Sequence, residues 1–287
     1  MKNKNNQDRK SIIKQPGFSV KKRFSQNFLL DENIITNIVE NANIDDTAGV
    51  IEIGPGLGAL TKLIIGKAKK SLVYEVDKEL IPYLKGFFEH SKNLVLLNKD
   101  VLKADINADI SEHLQDVEKV VVISNLPYHI TTPIIMKFLE EVKGVDSLTL
   151  MMQLEVAKRI TSKPNNKDYN ALSVIIQHQT DAKYLFKVPR TVFHPKPNVD
   201  SAVIRLDIRK DINNQDHQAF YRFVHNCFIQ RRKTLVNNLN FAYNNYSKEY
   251  IKEILEENGI NPMIRSEALS LSDFEDIYKC FKDDSRD

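Results

Sequence analysis

The 287-residue chain is long enough for one large or two modest domains with a sizeable core, and its 42% hydrophobic and 28% charged residues with only 9 Gly and 10 Pro exclude collagen-like, low-complexity and disordered classes. Two cysteines, Cys227 and Cys280, provide neither a disulfide framework nor metal-ligand spacing, so no metal is expected. No apolar run reaches a membrane span and no signal-peptide core opens the chain, so a cytoplasmic protein without a membrane partner is expected.

The net charge of +3 is segregated: residues 1–24 carry eight Lys and Arg against Asp8 alone, and residues 183–235 carry eleven against four Asp. Such blocks suit a polyanionic partner, although a basic tail and a solvated face would give the same balance. After the tail, Ile34, Ile35, Ile38, Val39 and Ala42 predict a helix over 31–43 with Asp31 as N-cap. Short apolar runs at 50–53, 72–76, 94–97, 120–123 and 147–152 predict buried strands, separated by helices that include 59–68, 78–90 and 133–141, the last with Thr132 as cap. This alternation predicts a parallel sheet covered on both faces. A helix at 154–162, a loop at 163–170 and strands at 184–188 and 202–208 follow. Beyond Asp211 only helical spacing remains, through Phe220, Phe223, Val224, Ile251, Leu255, Phe274, Ile277 and Phe281.

The first strand runs into Gly54-Pro55-Gly56-Leu57-Gly58. Glycines there let the backbone turn tightly and approach a ligand at the C-terminal sheet edge, which makes Gly54 and Gly56 candidate cofactor-binding residues. Glu75 ends the next strand 21 residues after Gly54, where a carboxylate can accept from two ribose hydroxyls. That arrangement serves a dinucleotide and S-adenosylmethionine alike. Asp100, after the third strand, is placed to meet an adenine amino group, although a helix cap is the plainer role. The fourth strand ends in Asn125-Leu126-Pro127-Tyr128. Two acceptors, the Asn125 side chain and the Leu126 carbonyl, can draw an exocyclic amine toward tetrahedral geometry and free its lone pair for methylation. Pro127 donates nothing and keeps Leu126 extended, and Tyr128 offers a stacking face. Hydride transfer needs none of this. Arg231, Arg232 and Lys233 are candidate phosphate contacts.

These segments together resemble the adenine-N6 methyltransferases, and more narrowly the ribosomal RNA adenine dimethyltransferase family. Arg23-Phe24-Ser25-Gln26-Asn27-Phe28-Leu29 resembles that family's N-terminal signature, as does Phe193-His194-Pro195-Lys196-Pro197 followed by Val199 and Ser201. Gln230-Arg231-Arg232-Lys233-Thr234-Leu235, Tyr169-Asn170-Ala171-Leu172-Ser173 and Leu126 in place of isoleucine resemble its housekeeping, small-subunit branch. The resemblance implies an α/β fold: a Rossmann-like class I S-adenosylmethionine-dependent methyltransferase domain with a mixed seven-stranded sheet over 25–211. A basic tail over 1–24 precedes it, and a small C-terminal α-helical, RNA-binding domain over 212–287 follows. It implies that Asn27, Leu29, Gly54, Glu75, Asp100 and Asn125 contact S-adenosylmethionine, that Asn125, Leu126, Pro127 and Tyr128 form the catalytic motif, and that Phe193 helps hold the target base. The implied reaction dimethylates N6 of two adjacent adenosines near the 3′ end of 16S rRNA in the small ribosomal subunit, during ribosome biogenesis; a monomer is expected. A 23S adenine-N6 methyltransferase of the erythromycin-resistance type is the alternative.

Overall fold

The computed structural model describes residues 27–210 and 217–283, so the basic tail and the boundary expected at 211–212 fall outside the described residues. The chain starts with β1 (Phe28–Leu29) and α1 (Glu32–Asn41). Asp31 caps α1 as expected, its Oδ1 accepting from the N–H groups of Asn33 at 3.0 Å and Ile34 at 3.1 Å. Ile35, Ile38 and Val39 form its buried face. Then come β2 (Ala48–Ile53), α2 (Ala59–Ile65), β3 (Lys70–Tyr74), α3 (Leu80–Phe87), β4 (Leu94–Leu97), α4 (Ile106–His113), β5 (Lys119–Asn125), α5 (Thr131–Glu140) and β6 (Ser147–Gln153). After α6 (Leu154–Ile160) and α7 (Ala171–Gln179) follow β7 (Thr180–Val188), β8 (Phe193–His194) and β9 (Ser201–Ile208).

Seven strands form one sheet in the order β4-β3-β2-β5-β6-β9-β7. β4, β3, β2, β5 and β6 run parallel, and β9 pairs antiparallel with β6, so the sheet is mixed as the resemblance implied. Every residue of β2 is buried, which explains its unbroken apolar run. The chain moves outward from β2 to β3 and β4 and then returns to β5 on the other side. A crevice therefore opens beyond the C-terminal ends of β2 and β5, where such sheets bind ligands. A separate antiparallel pair, β1 with β8, sets Leu29 opposite Phe193.

The expected start of α5 at Pro133 is corrected to Thr131; no side chain caps it, and Thr131 Oγ1 donates to the Pro127 carbonyl at 3.2 Å instead. The larger correction concerns the domains. The chain divides into two compact units, one of residues up to Ala157 with Lys183–Ile208, the other of Lys158–Ala182 with the chain from Arg209 onward. Residues 158–182, expected inside the methyltransferase domain, belong to the helical unit. The cause is α7: Asn170 caps it, accepting from Leu172 N–H at 2.9 Å, and Val174, Ile175 and Ile176 are buried. It packs on α8 (His217–Cys227) and on the last helix of the chain, and Arg209 N–H returns to the Gln179 carbonyl at 2.9 Å. α9 (Leu235–Ala242), α10 (Lys248–Glu257) and α11 (Leu271–Asp283) complete this unit. Its core is aromatic: Phe223 meets Phe281 at 5.6 Å and Phe220 meets Tyr278 at 5.4 Å between ring centroids.

Candidate active site

Beyond β2 the chain turns through Gly54, Gly56 and Gly58 with φ of +64°, +56° and +73°. A side chain would be strained at each, but the three differ in surroundings. A Cβ on Gly58 would lie 2.7 Å from the Phe88 ring, so that glycine lets α2 seat against the protein interior. A Cβ on Gly54 would meet nothing within 4 Å, so its backbone faces open space. Gly54 N–H donates to the Tyr74 carbonyl at 2.9 Å, which ties the loop to the end of β3.

That open space is a cleft of about 1020 Å³, mouth included, lined by Asn27, Leu29, Gly54, Glu75, Asn125 and Tyr128 among others. Glu75 is buried at the end of β3; its Oε1 accepts from Asp77 N–H at 2.8 Å and its carboxylate also accepts from Gly56 N–H. Burial raises its pKa to about 7, and the negative charge of Asp77 adds to the rise. Glu52, on β2 beneath the glycine turn, is 1% exposed and also lines the cleft. Burial, reinforced by Glu75, raises its pKa to about 8. Its Oε2 has no hydrogen-bond partner among the described residues. No motif in the sequence marks Glu52. The sole signal was a lone acid inside an otherwise apolar strand, Val50-Ile51-Glu52-Ile53.

The β5 side is built from Ser124 to Tyr128. Ser124 Oγ donates to the Ile53 carbonyl at 2.6 Å, joining the ends of β5 and β2. Asn125 Nδ2 donates to the Asn27 carbonyl at 3.3 Å, which orients the amide and leaves Oδ1 without a hydrogen bond among the described residues. Leu126 N–H donates to the Met151 carbonyl at 3.1 Å. Pro127 has φ −57° and ψ 129°, and a short helical turn over Tyr128–Ile130 follows. Tyr128 is half-buried with its hydroxyl 2.8 Å from Ser201 Oγ, and burial raises its pKa. Asn125, Leu126, Pro127 and Tyr128 all line the cleft, as do Asn27, Leu29, Gly54, Gly56 and Glu75.

Two expected residues are not on this wall. Phe193 is 5% exposed and packs in the core with Leu29, Ile35, Val39 and Val188, because its pairing with β1 turns the ring inward. It is not among the residues that line the cleft in the ligand-free fold. Asp100 caps its own turn, Oδ1 accepting from Leu102 N–H at 3.0 Å, and is not among the residues that line the cleft. In the helical unit, Arg231, Arg232 and Lys233 are exposed. Arg231 lies 3.6 Å from Glu267 and donates to the Lys167 carbonyl at 3.2 Å. Buried Asn238 holds the preceding turn, donating to the Cys227 carbonyl at 2.8 Å and accepting from Gln230 N–H at 3.0 Å.

A mixed seven-stranded sheet with a glycine turn and an acidic strand end at its switch point defines the class I methyltransferase fold. Solved structures agree: a dimethyladenosine transferase from Plasmodium falciparum aligns with a TM-score of 0.76, and the 23S rRNA methyltransferase ErmE with 0.69. Each is 24% identical; the first covers 90% of this chain and 98% of its own, the second 88% and 98%. The family described as Ribosomal RNA adenine dimethylase matches residues 17–283, and the chain belongs to that family. Among its relatives, the Ribosomal RNA small subunit methyltransferase A of Bacillus licheniformis is 45% identical over 269 residues, 92% of each chain. The protein of the same description from Bacillus pumilus is 44% identical over 92% of each.

Proposed function

We propose that this enzyme transfers two methyl groups to N6 of each of two adjacent adenosines near the 3′ end of 16S rRNA in the small ribosomal subunit, with S-adenosylmethionine as donor. The observation that carries this reading is that Asn125–Tyr128 share one cleft wall with Glu75 and Gly54. The 45% identical relatives are small-subunit enzymes by description, which favours that substrate over the large subunit. We place the enzyme in the cytoplasm, with its ribosomal substrate, as a monomer; separately, among the described residues no helix is long and apolar enough to cross a membrane.

The cleft suits the proposed donor. Glu52 Oε2, buried and unpaired, and Glu75 are two acids facing a space that a cationic ligand would fill, and Gly54 leaves room for it. When bound, S-adenosylmethionine supplies an electrophilic methyl on a sulfonium sulfur. Glu75 would accept both ribose hydroxyls, and Asp100, with one carboxylate oxygen committed to its turn, would offer the other to the adenine. Asn125 Oδ1 and the Leu126 carbonyl would accept the two N6 hydrogens of the target adenine and draw that nitrogen out of conjugation. Tyr128 would stack on the base once it has left its own RNA stack. No side chain is assigned as base, because N6 becomes acidic as it gains the methyl and its proton passes to water.

Glu75→Ala is expected to weaken donor binding by about 1–3 kcal/mol, the cost of losing charge-assisted hydrogen bonds. Because the ionised form accepts the hydroxyls and Glu75 titrates near 7, wild-type affinity should rise from pH 6 to pH 8, and the part of that rise centred near 7 should vanish in the variant. Calorimetry at both pH values reads this; equal affinity in a folded variant removes Glu75 from the site.

Arg231, Arg232 and Lys233 would contact phosphate. Neutralising all three is expected to weaken binding to small subunits and reduce its salt dependence by about 2.1–2.7 in slope, at about 0.7–0.9 per phosphate, while sparing donor affinity. An unchanged slope would make them a solvated face. The reading as a whole is tested by labelled methyl transfer to under-methylated small subunits and to large subunits. Incorporation into the large subunit alone would overturn it.

A further inference from the structure

Most phenylalanines of the helical unit are inside it: Phe220, Phe223, Phe274 and Phe281 are all buried. Phe241, in the last turn of α9, is 61% exposed. It sits in an open recess of about 670 Å³ whose other walls are polar, among them Lys233, Asn237, Asn240, Asn244 and Lys248. Asn237 and Phe241 are four residues apart on α9, which puts them on one face. The amides are held by their own unit: Asn237 Nδ2 donates to Thr234 Oγ1 at 2.8 Å and Asn240 Nδ2 to the Tyr246 carbonyl at 2.9 Å. Each keeps its Oδ1 free of hydrogen bonds among the described residues. Neither lysine pairs with a carboxylate among the described residues, so the recess has two cations without an internal partner.

We propose that this recess extends the phosphate contact of Arg231, Arg232 and Lys233 into a base-binding site, in which the exposed face of Phe241 stacks on one unpaired base, the asparagine amides meet that base's edge, and Lys233 and Lys248 meet the flanking phosphates. An aromatic face bordered by amides and cations matches what a splayed-out base requires, since every base has a π-face to stack and polar edge groups to satisfy. An apolar protein segment would leave the asparagines buried against carbon, which costs free energy. The site rests on the RNA reading above but takes no part in the methyl transfer chemistry. It adds a grip on single-stranded rRNA that recognises an unpaired nucleotide.

The test uses the full chain, with Phe241→Ala, Phe241→Tyr and Lys248→Gln, against a single-stranded RNA oligonucleotide carrying 2-aminopurine and against under-methylated small subunits. Phe241→Ala is expected to lower affinity for both by about tenfold, to abolish the stacking-dependent fluorescence change and to leave the salt slope intact. Phe241→Tyr should restore binding, and Lys248→Gln should reduce the salt slope by about 0.7, the value for one phosphate on a single strand. Phe241 is exposed, so folding is expected to survive; a thermal melt confirms it. Wild type and Phe241→Ala binding RNA equally well overturns this site while leaving the proposed reaction intact. Loss of subunit binding with unchanged binding to naked RNA overturns it in favour of a ribosomal protein as the partner. A wild-type chain that binds no RNA overturns both this site and the function on which it rests.

Discussion

Tyr128→Ala and Phe193→Ala are expected to fail in opposite ways. Tyr128 is half-buried on the cleft wall, so losing its ring should lower methyl transfer at least about tenfold at saturating donor, the equivalent of about 1.4 kcal/mol of lost stacking and orientation. Its stability cost should stay at about 1–3 kcal/mol, since the lost hydroxyl bond leaves the buried Ser201 hydroxyl unpaired. Phe193 lies in the core between α1 and the β1–β8 pair, so its truncation should cost about 3–5 kcal/mol and lower the melting temperature by on the order of 10 °C. The folded fraction of Phe193→Ala should methylate at near-normal rate. Activity and thermal unfolding measured on the same samples decide the matter. Phe193→Ala that melts like wild type yet has lost activity would return the ring to the base-binding wall.

Glu52→Gln should stabilise the ligand-free protein, and more so at high pH. The folded pKa of Glu52 is raised from 4.5 to about 8, so the unfolded chain loses this proton first as pH rises. Stability is therefore fully held below pH ~4.5, falls through the interval up to about 8 and is constant above it. At about 1.4 kcal/mol per pH unit, the accumulated penalty is on the order of 3–5 kcal/mol near pH 8. Glutamine carries no such penalty, so the stability difference between variant and wild type should grow by that amount from pH 5 to pH 8.5. A difference that does not vary with pH would mean that Glu52 is already ionised in the fold. Donor binding should respond in the opposite sense, because the variant presents one acid fewer to a cation.

The Asp31 cap, the glycine turn, the acidic strand end at Glu75 and the Asn125–Tyr128 segment were all legible because each depends on residues next to one another in sequence. The depth of Phe193 was not, since a two-residue strand pairing across 164 positions turns the ring inward and no local pattern records it. α7 was missed for a related reason. Val174, Ile175 and Ile176 are consecutive and all buried, so the helix lacks the polar face that gives periodicity away. Its capping box pairs Asn170 with Ser173 in place of the usual Glu or Gln. Glu52 was hidden because burial, which gives a carboxyl its unusual proton affinity, is a property of the assembled sheet.

The interrupted course of the chain sets an order on its synthesis. A ribosome completes α7 some forty residues before α8 and about a hundred before α11, the two helices against which α7 packs. Until they emerge, Val174, Ile175 and Ile176 have no permanent cover, while every strand of the main sheet is already made by Ile208. The sheet can therefore close first, while α7 waits for its partners. Shortening the gene after residue 211 would make that waiting state permanent and leave a sticky protein.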